Sequence, residues 1–325
     1  MTLSSAVVMT AAGSPDVLQE RIVEIPAPAP GQVLLKVNAA GFNPIDTKIR
    51  AGIAPVVPNE GVLGCDVCGE VIALGDGVTT FSSGDRVFGF VGGVKGKWGS
   101  LSEYMLADVS LLAKAPESLS DAQCAVLPLV TITAAEALRR LSPEIGSELL
   151  VLGASGAVGR MAVQIARSMG VNVTGTAGSA ERCADVSALG AAAIQHDDVD
   201  ARVAAGQSFA RVLDTFGGPS LQRALVAAAV GGQVATINAR GVHELGMAHS
   251  KALSLHAVFV MIPLLTGSGH ERHQAITQEL AQKMASGEWQ PLPVEEFELS
   301  AAAVAEVHRR YEAGQLPHKA VFVRR

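Results

Sequence analysis

The stretch ELLVLGASGAVG, residues 148–159, decides the fold of this chain. Its first five residues are mostly apolar and predict a buried strand, and a helical pattern of apolar residues follows over 158–168. A glycine-rich turn between a strand and a helix is the setting of a dinucleotide-binding loop. Ala154 stands where the G-x-G-x-x-G pattern has its first glycine, so a tight turn that binds nothing stays open as the alternative.

The residues of this loop have separate tasks if a dinucleotide binds. Gly156 would let the backbone approach a pyrophosphate, and Gly159 would let the helix pack closely against the strand. The helix start would also direct free N–H groups and the positive end of its dipole at the phosphates. We therefore predict that the cofactor contacts Ser155, Gly156, Ala157, Val158 and Gly159.

The chain around the loop alternates between strand and helix patterns, which predicts βαβ units and a doubly wound parallel sheet of α/β type. The predicted strands are 148–152, 171–176, 211–214, 233–237 and 253–260, and the predicted helices are 158–168, 180–189 and 220–230. Before residue 120, short apolar runs separated by glycine and aspartate predict a β-rich, barrel-like unit with strands at 32–38, 70–73 and 86–88. Helical spacing covers 121–141, and the last third adds helices at 271–285 and 301–313 and strands at 297–299 and 320–323.

Composition excludes several classes of protein. The 325 residues are 49% hydrophobic and 17% charged, which excludes disorder, and the net charge of −6 without a basic patch argues against a nucleic-acid partner. The longest unbroken apolar run, residues 224–230, is far shorter than the ~20 residues that cross a membrane. Four cysteines are too few for a disulfide scaffold, and the first basic residue is Arg21, so we expect no secretion signal and a reducing cytoplasmic setting.

The strand after the loop predicts which dinucleotide binds. An NAD-binding site ends this strand with Asp or Glu, which accepts a hydrogen bond from the ribose 2′-hydroxyl. No acid lies in residues 174–178, and Arg182 follows within reach of a phosphate dianion. We therefore predict NADP(H), contacted by Gly178, Ser179 and Arg182, with a solvated arginine at a helix start as the alternative for Arg182.

Five segments carry a family pattern. They are AGFNPIDTKIRAG at 40–52, LGCDVCGEV at 63–71 with GDRVF at 84–88, LPLVTITA at 127–134, the glycine loop, and GQLPHKAVFV at 314–323. Together they resemble the medium-chain dehydrogenase/reductase superfamily, in its zinc-independent quinone oxidoreductase branch. The resemblance implies a GroES-like catalytic domain over 1–121, a Rossmann NADP-binding domain over 122–262, and a C-terminal segment over 263–325 that returns to the catalytic domain. It also implies a homodimer that acts on a small-molecule electron acceptor.

The resemblance also identifies where the zinc-dependent branch would hold its catalytic metal. Those three positions are Asn43, Cys65 and Leu129, and one thiolate cannot build a tetrahedral site. The structural zinc of that branch needs four cysteines near 90–105, and residues 91–104 contain none. We therefore predict no metal and expect Cys65 and Cys68, a C-x-x-C pair that can also indicate metal or redox chemistry, to be thiols packed in the barrel.

A nicotinamide enzyme without a Lewis acid needs acceptors that take hydride easily, such as quinones and α,β-unsaturated carbonyls. By resemblance Asn43, Asp46 and Lys48 lie nearest the acceptor and are the candidate catalytic residues. Lys48 could donate to the developing oxyanion or be a solvated surface lysine, and Asn43 could orient a ligand or only begin a turn. Asp46 could hold local backbone or Arg50 rather than transfer a proton.

Three further residues complete the predicted cofactor site. Thr133 and His196 match family contacts to the nicotinamide and the ribose phosphate, and Asn238 follows a strand at the carboxyl edge of the sheet. The alternatives are a helix-interior hydroxyl for Thr133 and an exposed loop histidine for His196. For the whole protein, a cofactor-binding relative without turnover and, less favoured, a zinc-type alcohol dehydrogenase stay open.

Overall fold

The computed structural model describes residues 1–324, and its internal contacts divide the chain into two units. Unit 1 contains Met1–Leu129 together with the chain from Met261 onward, and unit 2 contains Val130–Val260. The strands, in chain order, are β1 (Thr2–Met9), β2 (Leu18–Ile25), β3 (Gln32–Gly41), β4 (Asp66–Leu74), β5 (Arg86–Phe90), β6 (Tyr104–Asp108), β7 (Leu112–Lys114), β8 (Glu148–Leu152), β9 (Asn172–Ala177), β10 (Ala192–Gln195), β11 (Phe209–Asp214), β12 (Ala228–Thr236), β13 (Ser254–Ala257), β14 (Val294–Glu298) and β15 (Lys319–Val323).

The α-helices alternate with these strands in unit 2 and are sparser in unit 1. In chain order they are α1 (Pro44–Arg50), α2 (Asp121–Ala125), α3 (Pro128–Leu141), α4 (Ala157–Ser168), α5 (Ala180–Ala188), α6 (Asp198–Ala204), α7 (Pro219–Ala227), α8 (Gly246–Ser250), α9 (Ile262–Thr266), α10 (His270–Ala285) and α11 (Ala301–Glu312). Among residues 1–324, no helix is both long and apolar enough to cross a membrane.

Unit 2 is built on a six-stranded sheet in the order β10-β9-β8-β11-β12-β13, and all of its pairings are parallel. The chain moves outward from β8 through β9 to β10, then returns to the other side of β8 with β11. The strand order therefore reverses next to β8, which is where ligands bind in such sheets. The predicted doubly wound parallel sheet is confirmed.

The central strands of this sheet are apolar because helices cover both faces. Leu149–Leu152 of β8 are at most 2% exposed, so every side chain of this run is buried whichever face it points to. On one face, Leu221 and Leu225 of α7 pack with Leu150 of β8 and Val212 of β11 in a single apolar core. This packing fixes the strand ends, and with them the loops that form the candidate site.

Unit 1 contains a seven-stranded sheet in which β3 has three neighbours. The first half of β3 pairs with β6, and almost the whole of β3 pairs with β4. At the end of β3, Ala39–Gly41 pair antiparallel with Val321–Val323 of β15. The strands β14 and β15 near the C-terminal end therefore extend a sheet begun near the N-terminal end. A separate hairpin of β1 and β2 pairs Thr2 with Ile25 and Met9 with Leu18.

The structure differs from the sequence predictions in a few elements. The helix predicted over 121–141 is two helices, α2 and α3, because Pro128 lacks the N–H that an uninterrupted helix needs there. The helix predicted over 220–230 ends at Ala227, since Ala228 already pairs with Phe209 of β11. The strand predicted over 253–260 ends at Ala257. Not predicted were the hairpin β1–β2, the short strands β6, β7 and β10, and the helices α1, α6, α8 and α9.

Candidate active site

The glycine loop after β8 has the geometry that its glycines require. Gly153 adopts φ +82°, and a Cβ there would lie 2.3 Å from Thr215 Oγ1 and 2.8 Å from the Phe216 ring. A Cβ on Gly159 would lie 2.1 Å from the Gly153 carbonyl oxygen, so the first turn of α4 packs directly on the loop. Both positions therefore exclude any larger residue.

The other predicted loop residues line the start of α4. Gly156 is its N-cap and is exposed, while Ser155, Ala157 and Val158 are partly exposed. A Cβ on Gly156 would meet only the Gly153 carbonyl oxygen, at 3.3 Å. A surface-exposed N-terminus of a 12-residue helix, with no side chain at its cap, fits a pyrophosphate group.

Hydrogen bonds tie this loop to the ends of β9 and β10. The Gly153 N–H donates to Thr176 Oγ1 at 3.0 Å, and the Ala154 N–H donates to the Thr176 carbonyl at 2.9 Å. The same Thr176 hydroxyl lies 2.8 Å from His196 Nδ1. Thr176 is thus a positioning residue that the sequence analysis missed, since a buried threonine in a strand carries no local signal.

The turn after β9 leads to an exposed arginine and contains no acidic residue. Gly178 and Arg182 are exposed, and Ser179 caps α5 by accepting the Arg182 backbone N–H at 3.3 Å. The Arg182 guanidinium makes no hydrogen bond or ion pair within the described residues 1–324. Its charge is therefore available to a ligand, and the Ser179 hydroxyl can still donate its proton.

His196 lies partly buried beside this cation. Its ring meets Phe216 edge-to-face, with the ring centroids 5.4 Å apart. Burial lowers the pKa of His196, and the positive charges of Arg223 and Arg182 lower it further against the attraction of Asp197. The imidazole is therefore neutral at pH 7.

The ends of β11 and β12 form the other side of the loop. The buried Asp214 carboxylate accepts the Gly217 N–H at 3.0 Å and the Thr236 hydroxyl at 2.8 Å. The Asn238 side chain, partly exposed, donates to the Phe216 carbonyl at 3.1 Å. Asp214 was not among the predicted residues, and it holds the turn that carries Phe216. Thr133 is buried within α3 of the same unit.

The predicted catalytic residues of unit 1 begin a buried polar network. The Asn43 backbone N–H donates to Asp46 Oδ2 at 2.8 Å, which fixes the start of α1. The Asn43 side-chain nitrogen donates to Asp66 Oδ2 at 2.9 Å, and its oxygen accepts from the Lys319 ammonium. The Leu129 N–H donates to the other Asp66 oxygen at 3.1 Å.

Cys65 completes this network beside Asp46. The Asp46 carboxylate accepts the Gly64 N–H at 3.3 Å and lies 3.9 Å from the Cys65 thiol. Asn43, Cys65 and Leu129, the three positions identified with zinc ligands in the related branch, thus lie around two carboxylates and one ammonium group. Within residues 1–324, no group of three or more His, Cys, Asp or Glu residues could hold a metal ion.

Burial changes the protonation of this network. It raises the pKa of Asp46 to about 6 and that of Asp66 to about 7, against the attraction of Lys319. Burial also lowers the pKa of Lys319 and raises that of the Cys65 thiol well above its ordinary value. Near neutral pH the two carboxyl groups therefore hold protons more readily than exposed ones do.

The three candidate catalytic residues differ in exposure. Asn43 and Asp46 are at most 2% exposed, whereas Lys48 is partly exposed on α1. The Asp46 carboxylate accepts backbone N–H groups of Asn43 and Gly64, as expected if it holds local backbone. It does not hold Arg50, which pairs with Glu312 instead. Asp66 and Lys319 were not among the predicted site residues, although the family segments 63–71 and 314–323 contain them, because they are 253 residues apart and no local pattern joins them.

Comparisons with known proteins match both parts of the chain. The family described as "Alcohol dehydrogenase GroES-like domain" matches residues 29–117, and the one described as "Zinc-binding dehydrogenase" matches residues 157–277. The quinone oxidoreductase of Rattus norvegicus is 32% identical over 315 residues, covering 94% of this chain and 93% of its own length.

Solved structures give the same result. An alcohol dehydrogenase superfamily protein from Novosphingobium aromaticivorans has a TM-score of 0.89 and 34% identity, with full coverage of both chains. Mycobacterial Rv1454c in complex with NADPH has a TM-score of 0.82 and 27% identity, covering 99% of this chain and 100% of its own. The prediction of a GroES-like domain joined to a Rossmann-type parallel sheet is confirmed.

Proposed function

This chain is an oxidoreductase of the medium-chain dehydrogenase/reductase superfamily, in its quinone oxidoreductase-like branch, and from that premise we propose that it uses NADPH, without a metal, to reduce a quinone or an α,β-unsaturated carbonyl. The observation that carries the choice of dinucleotide is the end of β9. There the exposed Arg182 guanidinium has no partner within residues 1–324, and residues 174–178 hold no carboxylate. A 2′-phosphate would meet attraction there and no like charge.

We assign the predicted cofactor residues to three different parts of the dinucleotide. Ser155, Gly156, Ala157, Val158 and Gly159 would hold the pyrophosphate at the start of α4. Gly178, Ser179, Arg182 and His196 would hold the phosphorylated ribose, with neutral His196 donating or accepting a hydrogen bond. Asn238 and Thr133 would contact the nicotinamide half. When bound, the reduced nicotinamide supplies a hydride.

In this proposal, helix α1 provides the group that stabilises the electron acceptor during reduction. A quinone or enone that takes a hydride gains negative charge on an oxygen atom, and a donor aimed at that oxygen lowers the barrier. Lys48 is partly exposed, unlike Asn43 and Asp46, so we assign the donor role to its ammonium group and the support of its helix to the other two. The proton that completes the hydroquinone or ketone would come from Lys48 or from solvent.

The edge of the unit 2 sheet supports the proposed homodimer. Within residues 1–324 the strand β13 has a neighbour on one side only, and Leu255 in it and Phe259 just after it are 38% and 50% exposed. A second copy pairing along β13 would cover this edge and its apolar side chains. We expect the dimer to act on its small-molecule acceptor in the cytoplasm, without a nucleic-acid or membrane partner.

Consumption of NADPH by the purified protein tests the proposal. A panel of quinones, enones, aldehydes and alcohols would be compared, with NADH as the matched cofactor and calorimetry for binding. We expect turnover of at least one quinone or enone, with NADPH preferred, and no change after dialysis against a chelator. Tight NADPH binding without turnover on any acceptor, or activity that returns only when zinc is added, would refute it.

A further inference from the structure

The polar network of unit 1 contains one cation, Lys319, which is partly exposed and lies in the segment GQLPHKAVFV without an assigned role. Lys319 is the first residue of β15, and its ammonium donates to the Phe42 carbonyl and to Asn43 Oδ1. The antiparallel pairing of β15 with the end of β3 brings it there, since Val321 lies opposite Gly41. A residue 277 positions away in the chain thus contacts the segment from which α1 begins.

The two sides of the Asn43 amide face opposite charges. Its oxygen accepts from the Lys319 ammonium, and its nitrogen donates to the Asp66 carboxylate at 2.9 Å. A flipped amide would set its NH₂ group against the ammonium and its oxygen against the carboxylate. Asn43 therefore has one orientation, and Lys319 and Asp66 decide it together.

The titratable groups around Lys319 come from two parts of unit 1, α1 and the start of β4. Asp46 lies on α1, Asp66 is the first residue of β4, and Cys65 directly precedes it. The ammonium attracts the ionised form of each of these groups, while burial opposes it. Without Lys319, the two carboxyl groups would be buried with no cation to balance them.

We propose that Lys319 is the positioning residue of the candidate active site: its ammonium fixes the Asn43 amide and balances Asp66, and so holds the start of α1 and the Lys48 side chain in place. The assignment rests on the proposed function, in which Lys48 faces the acceptor oxygen. In this assignment Lys319 acts through Asn43 and not on the acceptor, and two of its three N–H donors are bound to the Phe42 carbonyl and the Asn43 side chain.

The test compares Lys319→Met with Lys319→Arg and with Lys114→Met. Lys114 is a suitable control because it is an exposed unit 1 lysine that pairs with Asp85 at the surface. Carbon NMR of the apoprotein would follow the titration of the Asp66 carboxyl group, and steady-state kinetics would give kcat and KM. Loss of the nearby cation should raise the Asp66 pKa by about 1 to 3 pH units in Lys319→Met. It should lower kcat about 10- to 100-fold while KM for NADPH stays as it is.

Lys319→Arg keeps the charge and should restore the Asp66 titration, while Lys114→Met should behave as the wild type. An Asp66 titration that does not move in Lys319→Met overturns the proposal. If Lys319→Met does not fold, the charge-balanced pair Lys319→Met with Asp66→Asn should fold better than the sum of the single losses predicts. If the losses of stability in the two single variants simply add in the double variant, the proposal is also overturned.

The two proposals fail in different ways. The Asp66 titration is read without substrate, so a protein that oxidises no NADPH but shows the shift refutes the proposed function and leaves the role of Lys319 in the network standing. An active enzyme in which neither the titration nor kcat changes in Lys319→Met refutes the role of Lys319 alone.

Discussion

Replacing Arg182 with alanine should weaken the binding of NADPH much more than the binding of NADH. The guanidinium is exposed, has no partner within the described residues and follows a strand end without a carboxylate. The substitution removes a charge that only the 2′-phosphate of NADPH would use. The Ser179 hydroxyl would keep its cap on α5, because it accepts the backbone N–H of residue 182 and not the side chain.

The size of the effect follows from the exposure of the site. A pair of unit charges about 4 Å apart is worth about 1 kcal/mol in water, and a phosphate group carries nearly two charges. The loss is therefore about 2 kcal/mol, which is about 30-fold in the dissociation constant of NADPH. The affinity for NADH should change less than twofold, since its ribose has a hydroxyl group there.

Calorimetric titration of both dinucleotides against wild type and Arg182→Ala measures this difference directly. Arg167→Ala is the matched control, because Arg167 is an exposed arginine of the same unit at the end of α4. Arg182→Lys should keep part of the affinity, and added salt should reduce the advantage of the wild type. Equal losses for NADPH and NADH would refute the phosphate assignment, and an unchanged NADPH affinity would refute it as well.

Three further predictions concern stability and reactivity. Asp66 has a pKa of about 7 in the fold, above the ~4 of an unfolded chain, so its stabilising contribution is present at low pH and is lost as the pH rises from about 4 to about 7. Urea unfolding at roughly pH 5 and pH 7.5 should therefore differ less in Asp66→Asn than in the wild type, and an equal difference would contradict this. Gly153→Ala should lose more than about 1–2 kcal/mol in thermal unfolding, because φ is +82° and the Cβ would lie 2.3 Å from Thr215 Oγ1. Gly156→Ala, at φ −75°, is its control, and matching losses would count against the argument. Of the four cysteines only Cys183 is not buried, so a thiol reagent should show one fast reaction in the native protein, which Cys183→Ser abolishes; a fast phase that persists would contradict the burial of the others.

Local patterns in the sequence predicted most of unit 2. The apolar run of β8 and the glycines at 153, 156 and 159 are close in the chain, so spacing alone indicated a strand, a turn and a helix. The helix after 220 was predicted too long because an apolar stretch suits a buried strand as well as a helix. The hairpin strand β2 contains three charged residues and four consecutive exposed residues, so its strand pattern is weak without its partner β1.

The network in unit 1 could not be predicted in the same way. Asn43 and Asp46 are three residues apart and belong to one motif, but Asp66 and Lys319 reach them only through the pairing of β3 with β4 and β15. Sequence spacing contains no information about such pairings. Lys319 begins an apolar strand inside the family segment 314–323, but neither feature indicates which residues its side chain contacts.

The position of β15 beside β3 has a consequence for synthesis on the ribosome. Residues 39–41 must wait for pairing partners at 321–323, about 280 residues later in the chain, which takes roughly 15 to 55 s at ordinary elongation rates. Unit 2 is continuous in the chain and can fold within that interval, while the β3 edge is still unpaired and prone to associate with other nascent chains. Proteolysis of ribosome-stalled chains that end before residue 319 should accordingly cut unit 1 and spare unit 2.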